Sequence, residues 1–270
     1  MRTMTLMTCV AAIACATPAR AADGYREPDL SRAEEPVPFL LDPASRPQAV
    51  DILPPAPAPG TWRHEADRRV FRETRALQGT PRWTLAKRDV DMAVPAMLEN
   101  FSCAAGVALT PVKTPMLAGM LTRVSADAER AIEPAKAANR HPRPFALDEG
   151  PLCQPKEALT SFDYPSGHAT WGWTIGLLLA ELAPARSTQI LARARGYAES
   201  RVVCGAHNQS AIDAGLANAA SLVAALHGSP EFRTAMEAAR DELDAAARAA
   251  RVEPEAGACA VETGALQTAH

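Results

Sequence analysis

The chain has 270 residues, of which 47% are hydrophobic and only 5% aromatic, and it carries 28 Lys and Arg against 31 Asp and Glu. A formal charge of -3 and a pI near 6.1 argue against general nucleic-acid binding, which needs a basic coat. The length suits one large domain or two small ones, and the alanine-rich apolar fraction favours closely packed helices.

Residues 1–21 read as a secretory signal. Arg2 supplies the positive start, Met4 to Ala16 is mostly apolar, and Ala19-Arg20-Ala21 fits a small-x-small cleavage site. The expected location is periplasmic or secreted. Cys103, Cys153, Cys204 and Cys259 then remain, an even count that points to disulfides with three complete pairings open. No Cys-x-x-Cys spacing suggests zinc. Residues 22–60 form a proline-rich extended segment, because its prolines exclude a long helix.

From 61 to 251 the pattern is helical. His64 to Leu77 reads as one helix and Trp83 to Phe101 as another, bent at Pro95. Thr114-Pro115 opens a third, with threonine as cap, running on through or breaking at Pro134. Pro142 and Pro144 forbid its continuation, so Lys136 falls near a helix end and Arg143 on an extended strap. Residues 145–164 read as a loop. Further helices are expected from Ser166 to Leu182, from Ser187 past Arg201, from Asn208 to Leu226 and from Ser229 to Arg251, with a flexible tail over 252–270. The apolar run from Tyr164 to Ala180 falls short of the roughly 20 residues of a membrane span, so no integral span is expected. No segment has strand periodicity. The expected fold is all-α, a single helical-bundle domain with a proline-rich N-terminal extension.

Three short blocks carry chemistry. Lys136 precedes Arg143-Pro144; Pro165-Ser166-Gly167-His168 follows; Ser200-Arg201 and His207 come last. A phosphoryl group in transfer needs cations on its equatorial oxygens, a nucleophile and a proton donor. Lys136, Arg143 and Arg201 supply the cations, and Ser166-Gly167 a helix start whose free N–H groups face an oxyanion. Each block alone also has a plain structural reading: solvated charges, a capped core helix, or an ion pair of Arg201 with Glu199 or Glu181.

Together the blocks resemble the signature of the phosphatidic acid phosphatase type 2 superfamily, and more narrowly the bacterial class A non-specific acid phosphatases. The resemblance implies an all-helical, metal-free and cofactor-free hydrolase of small phosphate monoesters. In that reading His207 is the nucleophile that forms a phosphohistidine and His168 the acid and then the base. Lys136, Arg143, Ser166, Gly167 and Arg201 bind the phosphate. A homodimer is implied by the resemblance only. The signature ends in an aspartate four residues after the second histidine, where this chain has Ala211. The expected consequence is a weakly oriented His207 and reduced turnover, with Ser210 or Asp213 as substitute partners. Two alternatives follow: a phosphate-binding protein of the same fold with little activity, and a vanadate-dependent haloperoxidase.

Overall fold

Proline and small polar residues set where the helices begin. In the computed structural model, which describes residues 37–249 and 256–267, the elements among the described residues are helical. The short α1 (Ala49–Ile52) lies in the proline-rich segment. α2 (Trp62–Thr74) is capped by Thr61, whose hydroxyl accepts from His64 N–H, and α3 (Pro81–Arg88) likewise by Thr80, with proline in its first turn. α4 (Val94–Ala105) ends at Gly106 in the left-handed region. The long α5 (Pro115–Asn139) is followed by α6 (Gly167–Leu182), α7 (Ser187–Val203), α8 (Gln209–Leu226), α9 (Pro230–Ala249) and α10 (Ala256–Leu266). The signal sequence expected at 1–21 lies outside the described residues.

Three sequence expectations change in detail. Trp83 to Phe101 is two helices, because the chain leaves helical geometry at Asp89 and re-enters at Val94 with Pro95 in the first turn. The intervening stretch frees carbonyls that the site uses. At α5, Thr114 holds the cap position without a side-chain cap bond. Glu242 of α9 accepts instead from the Met116 and Leu117 N–H groups, both at 3.0 Å. This helix runs unbroken through Pro134. Finally, residues 256–266, read as part of a tail, form a helix joined to α4 by the Cys103–Cys259 disulfide.

α6 is the centre of the bundle, packed chiefly on α7 and α8, while α5 packs on α9 and α6. The main core gathers Phe101, Leu121, Ile175, Leu179, Tyr197 and Phe232, all fully buried. Each such side chain contributes about 1.5–3 kcal/mol of burial. Gly215 of α8 permits the close approach to the start of α6. A methyl group there would lie 2.7 Å from Ala169 Cβ and 2.8 Å from the Ser166 carbonyl oxygen. A buried polar seam fixes α7 against the end of α3. Arg193 pairs with Asp89 at 2.5 Å, and Ser200 donates to Asp89 at 2.6 Å. Breaking such a buried pair costs about 3–5 kcal/mol.

The proline-rich segment is pinned along α5. Leu40 N–H donates to Asp127 at 2.7 Å, Ala56 N–H to Asn139 at 2.8 Å, and Tyr164 reaches the Pro54 carbonyl at 2.7 Å. No helix among the described residues is long and apolar enough to cross a membrane.

Candidate active site

The three sequence blocks converge on one cavity of about 440 Å³. Lys136, Arg143, Gly167, His168, Arg201 and His207 all line it, with Met92, Ile132, Leu159 and Trp171 as apolar wall. Ser166 does not line it. It is fully buried at the N-cap of α6, where its hydroxyl accepts from Ala169 N–H at 3.2 Å. Ser200 is likewise structural, held against Asp89.

Arg201 and His207 come from opposite sides of a chain reversal. α7 stops at Val203, and Gly205 adopts φ 73°, a left-handed conformation that suits glycine. Ala206 N–H then bonds back to the Arg201 carbonyl at 2.9 Å, which swings His207 to the side of Arg201. A side chain at position 205 would also collide with Arg75 and Leu152.

Arg201 is fully buried and pairs with neither Glu199 nor Glu181. Glu199 pairs instead with Arg195 at 2.5 Å, and Glu181 with His227 at 3.1 Å. One Arg201 donor, Nη2, bonds to Gln154 Oε1. The other two, Nε and Nη1, are buried with no partner among the described residues. Unpaired buried donors are costly, and a planar fork of this kind matches two phosphate oxygens.

Arg143 is more occupied. Its Nε donates to the Ser161 carbonyl at 2.7 Å, Nη2 to the Ser161 hydroxyl at 3.0 Å and Nη1 to the Ala206 carbonyl at 2.7 Å. Nη1 also sits 3.2 Å from His207 Nε2. Lys136 Nζ donates to the Phe162 carbonyl. Burial chiefly, with the positive charge of Arg143 next, brings the Lys136 pKa down to about 8.

The partners define both imidazole tautomers. His207 Nδ1 lies 2.8 Å from the buried carboxylate of Asp163, so that nitrogen carries the proton. Nε2, facing an arginine N–H, holds the lone pair. His168 Nε2 lies 3.0 Å from the Val90 carbonyl, so Nε2 carries its proton and Nδ1 is free to exchange one. Trp171 Nε1 donates to the Met92 carbonyl at 3.1 Å, so the break between α3 and α4 supplies supports for two cavity residues.

Burial first, opposed by the Asp163 hydrogen bond, pushes the His207 pKa down to about 3. Burial, then Arg201, holds His168 well below its usual value. A nucleophilic His207 must be neutral while an acid at His168 must be protonated. The protein's own groups push both toward the neutral form.

Both substitutes anticipated for the signature aspartate are engaged elsewhere. Ser210 bonds to Asp67, at 2.9 Å through N–H and 2.5 Å through its hydroxyl. Asp213 accepts from Gln209 at 2.9 Å on the exposed face of α8. The carboxylate on His207 is Asp163, which the spacing of the motif does not reveal because it lies in the loop before α6. His207 itself precedes α8, which starts at Gln209, so helical counting from 207 to 211 does not apply. Gln154, Ser161, His141 and Asn208 are further contacts that carry no motif signal.

Comparison with known proteins gives the family of the chain. Residues 114–235 match the PAP2 superfamily. An acid phosphatase of Zymomonas mobilis is 39% identical over 216 residues, covering 79% of this chain and 81% of that one. A non-specific acid phosphatase of Providencia stuartii is 35% identical, covering 73% of this chain and 82% of its own. Another from Salmonella typhimurium is 33% identical, covering 71% and 78%.

Proposed function

The chain belongs to the non-specific acid phosphatases of the PAP2 superfamily, and on that premise we propose that it hydrolyses small phosphate monoesters through a phosphohistidine at His207. The observation that supports the reading most is the pair of buried Arg201 donors without a partner among the described residues, in a cavity shared with His207 and His168. Arg201, Lys136, Arg143 and the backbone amides at the start of α6 hold the phosphate oxygens. Ser166 contributes by fixing that helix start.

The His207 Nε2 lone pair attacks phosphorus as the ester P–O bond breaks. The departing oxygen takes the proton from His168 Nδ1. His168, now neutral, removes a proton from water; the water oxygen bonds to phosphorus and the P–N bond returns its electrons to His207. Protonation of His168 needs help, since burial first and then Arg201 oppose it. A bound dianion offsets the arginine charges and raises the His168 pKa, so the ester recruits the proton used on its own leaving group. Acidic solution favours the same step.

Reduced turnover on account of Ala211 is not expected. Its premise is an imidazole without a carboxylate, and Asp163 occupies that role geometrically. The disulfides Cys103–Cys259 and Cys153–Cys204 support an oxidising location, periplasmic or secreted.

The test is phosphate release from an aryl phosphate at acidic pH by wild type and His207→Ala. Release by wild type, lost to background in the folded variant, is expected. Activity retained in His207→Ala refutes the reading.

A further inference from the structure

The carboxylate of Asp163 is fully buried, and its contacts point in two directions. Oδ1 lies 2.8 Å from His207 Nδ1 and accepts from the Asn208 N–H at 3.2 Å. Oδ2 accepts from the Asn208 side-chain amide at 2.9 Å and lies 3.2 Å from His141 Nδ1. The backbone repeats the tie, because Asp163 N–H donates to the His141 carbonyl at 3.0 Å. Thus the loop end, the strap that carries Arg143 and the residue after the nucleophile meet on one carboxylate.

We propose that Asp163 is the positioning carboxylate of this enzyme, supplied by the loop before α6 because position 211 lies in an apolar cluster, and that His141 and Asn208 hold it in place. The inference rests on the reading of His207 as nucleophile. Ala211 is fully buried and packs in a cluster with Ala49, Leu53, Ala135, Tyr164 and Ala214, surroundings that penalise a carboxylate. Asp163 does not line the cavity, so it acts on His207 and not on the ester. It fixes the proton on Nδ1 and keeps Nε2 as the attacking nitrogen. When Nε2 bonds to phosphorus the ring becomes cationic, and the carboxylate at hydrogen-bond distance stabilises that charge.

His141 gives the arrangement a histidine–aspartate–histidine form. It is buried, and contact with Asp163 favours its charged state, against the cost of burial. The three donors that converge with His207 on Asp163, two from Asn208 and one from His141, hold its charge with the ionised form strongly favoured despite complete burial.

The experiment compares wild type, Asp163→Asn and Ala211→Asp by kcat, inhibition by inorganic phosphate and the pH profile of kcat. Asparagine keeps the size of the side chain and removes its charge. The expected result for folded Asp163→Asn is a kcat lower by at least about tenfold, with phosphate inhibition within about threefold of wild type and a shifted pH profile. For scale, replacing the carboxylate of a serine protease triad costs roughly 10⁴-fold. A kcat within about tenfold of wild type overturns the assignment. So does an equal loss of kcat and phosphate affinity, which marks a residue that only holds the loop. Ala211→Asp provides an arm independent of how Asp163→Asn folds. No gain in kcat is expected, since His207 already has its carboxylate, and a gain of about tenfold or more overturns the assignment. Failure of the nucleophile reading shows separately, as activity retained by His207→Ala.

Discussion

On one side of the cavity, Gly167 and His168 sit in the first turn of α6 and Arg201 in the last turn of α7, two helices that satisfy most of their own backbone groups. On the other side, Arg143, Gln154 and Ser161, with Asp163 behind them, sit on residues 140–164, which form nothing longer than a short 3-10 turn. The two sides use their polar groups differently. The helical side leaves two Arg201 donors without a partner among the described residues. The loop side is held by cations: its own Arg143 on Ser161 and Ala206, Lys136 of α5 on Phe162, and Arg75, just after α2, on the carbonyls of Pro151, Val202 and Val203. The Cys153–Cys204 disulfide adds a covalent anchor beside Gln154. A loop with few internal backbone bonds needs side chains and cross-links to become a rigid wall, whereas a helix leaves its side chains free for the ligand.

The contrast separates affinity from turnover, and variants can break it. The largest effect on anion binding is expected for Arg201→Ala. Inorganic phosphate inhibition weakens by roughly 100-fold, within the range for truncating one partner of a buried, hydrogen-bonded charge pair. Asp163→Asn moves turnover while sparing phosphate affinity. If both variants shift phosphate inhibition by the same factor, the two sides do not have separate jobs.

A smaller, pH-dependent effect belongs to Lys136, which links the two sides. Its pKa is brought down to about 8, so it is charged in acid and loses its proton as pH rises through that value. Phosphate inhibition should therefore weaken several-fold between about pH 7 and 9, the range set by this titration. Lys136→Arg, which stays charged, should remove that step. A profile that is flat in wild type, or unchanged in Lys136→Arg, contradicts this role for Lys136.

The same division governs what could be read from the sequence. The helices were legible where prolines and caps bound them, at Pro115, Ser166 and Ser229-Pro230, whereas the start of α3 at Thr80-Pro81 lies before the stretch read as helical. The cavity residues on and beside those helices were legible as spaced motifs. Fixed spacing records fixed geometry, and the left-handed Gly205 makes the reversal that unites Arg201 with His207. Asp163 was not legible as the partner of His207, since the two are 44 positions apart and joined only by tertiary folding. Counting from His207 along a helix led to Ser210, Ala211 and Asp213, but the helix begins two residues after the histidine. The caps at α5 show the same limit. Thr114 has the right residue type in the right place, yet Glu242, more than a hundred positions away, takes the N–H groups. The disulfide pairing, left open by a count of four cysteines, is also decided by the fold.

The most direct test of the account is to quench the enzyme in alkali during steady turnover of a phosphate monoester at saturation, digest it and map the phosphoryl group. The account predicts a phosphohistidine at His207 that is absent from His207→Ala. Phosphorylation at His168 or another side chain, or no covalent phosphoryl group while turnover continues, would contradict it.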